Sequence, residues 1–362
     1  MPLSDVMRTL LGMRFIARLI DKLQRHPKRI VFPEGTEPRI LHAARQFHAL
    51  RLGAPIVLGD RQKVNEAAGH AGVPLDGIRV IDPETSSDLD SFVQRFMRLR
   101  RSQGVQEPEA RMAMKQPNYF GAMMVAMHQA DGFVSGANDI PGSVFRPLFQ
   151  IVKVAPQATA ASSCMIVELQ NAKFGEDGVL FIADCGVIPE PNVEELAEIA
   201  VATASLAKHL LNIRPRVAFL SFSTKGSAMH ASVGRVQAAA ALARQRAEQK
   251  GLAADFDGEL QVDAALVEEI ARRKAPESPV AGRANVLIFP ELNSGNIGAK
   301  LLQHVACANA YGQILLGLDR PAAEVSRGST AQDILGVAAI VGVQAIAYHL
   351  LYPGSGEVLP GE

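Results

Sequence analysis

The densest concentration of chemically useful side chains is Ser221-Phe222-Ser223-Thr224-Lys225-Gly226-Ser227, directly after the apolar run Val217–Leu220 and ahead of a helical stretch. Hydroxyls, backbone N–H groups and one lysine at a strand-to-helix turn suit a phosphate, because a helix start supplies unpaired donors and partial positive charge. The run is not a GxxxxGK[ST] loop, which disfavours a nucleoside triphosphate. A plain capping turn has the same composition and stays open as the alternative.

Two further runs stand at similar junctions. Pro290-Glu291-Leu292-Asn293-Ser294-Gly295-Asn296 follows an apolar strand, where open α/β sheets place ligands. Asn293 and Asn296 are candidates to orient a carbonyl or a phosphate, although an ordinary turn and N-cap look alike. Ser326-Arg327-Gly328-Ser329-Thr330-Ala331-Gln332-Asp333 leads into an uncharged terminal segment. Ser329 and Gln332 have capping-box spacing, and residue chemistry alone favours Asp333 as a first-turn acid over Asp333 as a base. Arg39, Arg100 and Arg146 stand where anions could be held, yet each alone reads first as a surface cation or helix ion pair. Asp184, closing an apolar strand, is either a functional acid or a cap.

These residues need a frame. Arg29–Phe32, Pro55–Leu58, Ile78–Ile81 and Gly132–Ser135 are short strand-like runs between segments of helical period, and Met165–Leu169, Val179–Ala183, Val217–Phe222 and Val286–Phe289 resume the rhythm. One Glu/Ala-rich helical pattern starts near Glu194, and a second, rich in Ala, Gln and Arg, runs through Ala238–Gln249. Such alternation predicts an α/β fold of two αβα lobes with mostly parallel sheets. At 362 residues the chain exceeds one typical core. One boundary is placed near Ala155-Pro156, which makes 1–155 with 310–362 the first lobe and 156–309 the second. The amphipathic spacing of Leu3, Val6, Met7, Leu10 and Leu11, continuing through Ile16, Leu19, Ile20 and Leu23, predicts an N-terminal helix that lacks secretory-signal features. Ile334–Tyr352 carries no Asp, Glu, Lys or Arg, but Gln344, His349 and its Ala/Gly content predict a buried soluble helix. The Gly/Pro-rich residues from Pro353 to Glu362 are expected outside the core.

Composition narrows the partners. Acidic and basic residues balance at 37 each, so bulk charge makes no case for nucleic acid or an anionic membrane. Cys164, Cys185 and Cys307 lie far apart with no zinc-like spacing, which suits a reducing cytoplasm.

Six blocks in order along the chain resemble the phosphate acetyltransferase, or phosphotransacetylase, family. They are Pro33-Glu34-Gly35-Thr36-Glu37-Pro38-Arg39, Ala130–Gly136, Ser221–Ser227, Asp257–Ala265, Lys274–Gly282 and Phe289–Ile297. The resemblance implies a homodimer of two-lobed subunits, related in fold to the isocitrate/isopropylmalate dehydrogenase group, with the active site in the interlobe cleft and no metal. It implies acetyl transfer between acetyl phosphate and coenzyme A, with coenzyme A as substrate rather than cofactor. Asp333 then matches the base on the thiol, Ser326 and Arg327 position and stabilise the acyl phosphate, and Arg39, Arg100 and Arg146 match arginines serving substrate or coenzyme A. Ser221, Ser223, Thr224, Lys225, Gly226, Ser227, Asn293 and Asn296 complete the expected binding set.

Three departures stand out against that resemblance. Asn138-Asp139-Ile140-Pro141-Gly142-Ser143 replaces a His-Ser-rich loop ahead of Phe145-Arg146-Pro147. His304 stands where another arginine is common, and Ser329 where a cysteine is frequent. The first two keep open a preference for propionyl or butyryl groups, and a catalytically silent acyl-CoA-sensing module.

Overall fold

The computed structural model describes residues 14–352 and divides into two compact units, Met1–Pro156 with Leu318–Glu362, and Gln157–Gly317. Leu3 to Leu11 of the N-terminal pattern and the tail from Pro353 lie outside the described residues.

In the first unit the chain runs through α1 (Arg14–Arg25), β1 (Lys28–Phe32), α2 (Pro38–Ala49), β2 (Gly53–Leu58), α3 (Arg61–Ala71) and β3 (Arg79–Ile81). It continues through α4 (Leu89–Leu99), α5 (Glu107–Met114), α6 (Pro117–Ala126), β4 (Gly132–Ser135) and α7 (Pro141–Ile151). Helix α1 buries Phe15, Ile16, Leu19 and Leu23, one apolar stripe at helical spacing. Helix α2 starts where Pro38 takes a first-turn position and the Glu37 side chain accepts from the Arg39 N–H.

The second unit contains β5 (Ser162–Glu168), β6 (Val179–Ala183), α8 (Val193–Leu211), β7 (Arg216–Leu220), α9 (Ala231–Gln249), β8 (Asp255–Leu260), α10 (Val262–Leu266) and α11 (Glu268–Lys274). It ends with β9 (Val286–Ile288), α12 (Leu292–His304) and β10 (Asn309–Leu316). Its strand order is β10-β5-β6-β9-β7-β8. The pairs β10/β5 and β5/β6 are antiparallel, and the rest are parallel. Helix α8 opens on a reciprocal cap between Asn192 and Glu195.

Back in the first unit, β11 (Ala322–Glu324) joins an all-parallel sheet of order β3-β2-β1-β4-β11, and α13 (Ala331–Gln344) follows. Residues Ile334 to Gln344 are buried on every side, which accounts for their lack of charge. The helix packs on α1, α2 and β4. Gly132 is required by that approach, since a Cβ there would stand 2.4 Å from Val341 Cγ1. No helix among the described residues is long and apolar enough to cross a membrane.

Strands β8, β10 and β11 escape the sequence pattern. Asp-Phe-Asp-Gly-Glu-Leu and Asn-Ala-Tyr-Gly-Gln mix polar residues and glycine into the run, and Ala-Ala-Glu favours helix by propensity. Strand β10 also moves the expected return to the first lobe from residue 310 to Leu318, because it is zipped antiparallel to β5 from Asn309↔Glu168 to Leu316↔Ser162.

Candidate active site

In the first unit's parallel sheet, β1, β4 and β11 send their carboxyl-terminal loops to the same edge. The β11 loop carries Ser326 and Arg327 and leads into Asp333 in the first turn of α13. It leaves the sheet with the Val325 N–H on the Ser135 carbonyl at 2.8 Å. A tight turn follows, in which the Ser326 carbonyl accepts from Ser329 N–H at 2.8 Å and the Ser326 hydroxyl from Gly328 N–H at 3.2 Å. Arg327 is exposed at its tip. The capping box at α13 is one residue later than the spacing suggested: Thr330, not Ser329, is the N-cap, and Asp333, not Gln332, reciprocates. Asp333 is therefore both a helix-end acid and a half-exposed carboxylate seven residues after Ser326.

Arg39 directs four of its five N–H donors to groups of the protein. Its Nε donates to Glu37 at 2.7 Å, Nη1 to the carbonyls of Arg327 at 2.6 Å and Ser329 at 2.9 Å, and Nη2 to the Ala137 carbonyl at 2.5 Å. Hydrogen bonding to Glu37 raises the guanidinium's pKa and, with burial opposing, lowers that of the Glu37 carboxyl. Beside it, Glu34 fills a cradle of consecutive N–H groups: Gly136 at 2.8 Å and Ala137 at 2.9 Å on one oxygen, Asn138 at 2.7 Å and Asp139 at 3.0 Å on the other. Sequence reasoning quoted Glu34 only as part of the run leading to Arg39. The mark it missed is a carboxylate two residues past a strand end, opposite a Ser-Gly-Ala turn.

A pocket of about 830 Å³ opens in this unit, walled by Glu34, Asn118, Tyr119, Asn138, Asp139 and Arg146 among others. The altered loop at Asn138–Ser143 is part of that wall. Ser135 donates to Asn118 at 2.8 Å, and Asn118 donates to Asp139 at 2.5 Å. Burial pushes the Asp139 carboxyl up, the Asn118 bond pulls it back, and the Glu34 charge pushes it up again. Tyr119 is likewise raised by burial, while the positive charges of Arg146 and Arg100 oppose the rise. Arg146 lines the pocket from α7, whereas Arg100 sits half-buried at the end of α4.

The second unit presents its expected residues differently. Three residues, Ala228 to His230, separate Ser227 from α9, so the run Ser221–Ser227 is not a helix N-terminus. Its donors are engaged around Glu259 of β8. The Glu259 carboxylate accepts from Gly226 N–H at 2.6 Å, the Ser223 hydroxyl at 3.0 Å and Gln237 at 2.8 Å, and its carbonyl accepts from Lys225 N–H at 3.2 Å. Burial would raise the Glu259 carboxyl, but these bonds outweigh it and hold the group low. Thr224 exchanges bonds with Gln261, its N–H donates to the Ser227 hydroxyl at 3.0 Å, and the Lys225 ammonium lies 2.5 Å from Asp257. The free-donor phosphate loop predicted from composition is thus replaced by a loop wrapped on a carboxylate. Lys225, Gly226 and Ser227 remain exposed.

At the head of α12 the cap is Glu291, which accepts from Asn293 and Ser294 N–H at 2.8 Å each. Asn296 donates to the Cys185 carbonyl at 3.0 Å, a structural bond, and Asn293 is exposed. Gly295 is demanded by close packing, since a Cβ there would lie 2.1 Å from the Asp184 carbonyl oxygen. Asp184 spends its carboxylate on Ser163 and on the N–H groups of Gly186, Val187 and Ile188. That settles it as a turn organiser. His304 is exposed at the end of α12. Among the described residues no group of three or more His, Cys, Asp or Glu is arranged to hold a metal ion.

Comparison with known proteins adds a family to this geometry. The model of the family described as phosphate acetyl/butaryl transferase matches residues 14–342. A phosphate acetyltransferase of Thermoanaerobacterium thermosaccharolyticum is 48% identical over 335 residues, covering 92% of this chain and 100% of that one. The solved phosphotransacetylase from Staphylococcus aureus superposes with a TM-score of 0.83 at 39% identity, over 92% of this chain and 99% of its own. That of Streptococcus pyogenes gives 0.83 at 38%, over 96% and 99%. With a family model spanning nearly all of its described residues and a relative of this identity, the chain belongs to the phosphate acetyl/butaryl transferase family, a family of acyltransferases.

Proposed function

We propose that this chain transfers an acetyl group reversibly between acetyl phosphate and coenzyme A, and that the loop from Ser326 to Asp333 carries the chemistry. In the direction of thioester formation Asp333 takes the proton from the coenzyme A thiol. The thiolate attacks the acetyl carbonyl carbon, charge builds on the carbonyl oxygen beside Arg327, and the carbon–oxygen bond to phosphate breaks to release inorganic phosphate. Ser326 orients the acyl phosphate through its hydroxyl. No residue is acylated and no metal or cofactor is used.

The observation that carries this reading is the turn itself: one tight loop at the sheet edge presents a hydroxyl, an exposed guanidinium and a capped, half-exposed carboxylate within eight residues. Arg146, which lines the first unit's pocket, and Arg100 are assigned to anionic parts of the ligand. In the second unit the exposed Lys225, Ser227 and Asn293 and the half-buried Ser221 are assigned to ligand, while Ser223, Thr224, Gly226 and Asn296 hold their loops in shape. Three free cysteines fit a cytoplasmic enzyme, and the working form is a homodimer.

The test is acetyl-CoA formation from acetyl phosphate and coenzyme A, run beside coenzyme A binding by calorimetry. Tight binding without turnover would replace the enzyme with a sensing module.

A further inference from the structure

We infer that Arg39 is a positioning residue, a clamp that sets the loop bearing Ser326 and Arg327 against the loop after β4, and not a ligand-binding cation. This rests on the assignment of catalysis to that loop. Guanidinium is a planar fork with five N–H donors. Four are spent inside the protein, on Glu37 Oε1, Arg327 O, Ser329 O and Ala137 O. A cation that has given its donors to three carbonyls and a carboxylate has little left for an incoming phosphate.

The bonds to Arg327 and Ser329 straddle the tip of the catalytic turn, and both come from one nitrogen. The backbone of Arg327 is therefore held while its side chain stays exposed to reach a ligand. The third carbonyl, Ala137, belongs to a peptide gripped from its other side as well, since Glu34 accepts the Asn138 N–H of that same peptide. Glu34 and Arg39 thus hold Ala137 between them, and Arg39 alone extends that hold to Arg327 and Ser329. Bonds to a charged donor are short and directional, and a lysine ammonium brings three donors to four acceptors and lacks the planar fork that spreads them.

The test uses the full chain with Arg39→Gln and Arg39→Lys. For Arg39→Gln we expect kcat to fall roughly 10- to 100-fold, with KM for coenzyme A and for acetyl phosphate each within about 3-fold of wild type. In ligand-free protein, backbone amide exchange across residues 326–330 should quicken relative to the rest of α13. Arg39→Lys should fall between, and it carries the test if the glutamine variant does not fold. A tenfold rise in KM for coenzyme A with kcat and exchange unchanged would overturn the inference and return Arg39 to the ligand. Arg327→Ala, measured in parallel, separates the two claims. Full activity in that variant sinks the catalytic assignment of the loop while leaving the exchange result standing. Unchanged exchange in folded Arg39→Gln, with Arg327→Ala inactive, sinks only the clamp.

Discussion

Thr330 and Asp333 hold each other at the head of α13. One carboxylate oxygen, Oδ2, accepts both the backbone N–H and the hydroxyl of Thr330 at 2.8 Å, while that hydroxyl accepts the Asp333 N–H at 3.2 Å. Both bonds fall on Oδ2, so in the proposed reaction Oδ1 is the oxygen assigned to the thiol proton. On that proposal the capping box also fixes the rotamer of the base.

Asp333→Asn tests that duality. The amide oxygen can take over the two bonds from Thr330, so stability should stay within about 1 kcal/mol of wild type. The proton acceptor is gone, so kcat should drop roughly 10²- to 10⁴-fold. Steady-state kinetics beside thermal melting reads both, and a stable variant with full kcat would move the base elsewhere.

Glu34→Gln should loosen the wall of the first unit's pocket. Four backbone donors face a charged acceptor in the wild type, and a neutral amide offers one oxygen plus an unwanted donor to the same four groups. A loss of about 1–3 kcal/mol is expected, seen as a lower urea midpoint with faster amide exchange over residues 136–143. An unchanged midpoint would mean that the cradle contributes nothing.

The Glu259 loop predicts an acid-side stability profile. Its carboxyl is held below the ordinary glutamate value of 4.5, so the unfolded chain binds the proton more readily than the native one. The stabilisation it supplies is fully present above that value and is lost as pH falls through the lower folded one. Melting temperature against pH should show a shallower acid limb for Glu259→Gln below about pH 4.5. An identical acid limb in both proteins would refute the assignment.

Acyl preference is decided by competition among acetyl, propionyl and butyryl phosphates at equal concentration. Acetyl should have the highest kcat/KM, each added methylene costing about 1 kcal/mol or more if the acyl site closes on the methyl group. A butyryl preference would identify the altered loop Asn138–Ser143 as having enlarged the site.

The sequence by itself determined the α/β class, eight of the eleven strands among the described residues and the buried uncharged helix, and it singled out the run from Ser326 to Asp333, because strand and helix periods and motif spacing are local properties of the chain. It did not reveal β8, β10 and β11, whose residues are extended only because a neighbouring strand offers hydrogen bonds. The fates of polar groups were likewise hidden. Nothing near Arg39 in sequence says that carbonyls at positions 137, 327 and 329 will meet its guanidinium, nor does Ser221–Ser227 reveal the carboxylate 32 positions beyond it at Glu259. A side chain's type sets what it can bond to, but whether its donors remain for a ligand depends on which distant backbone groups the packed fold leaves within 3 Å of it.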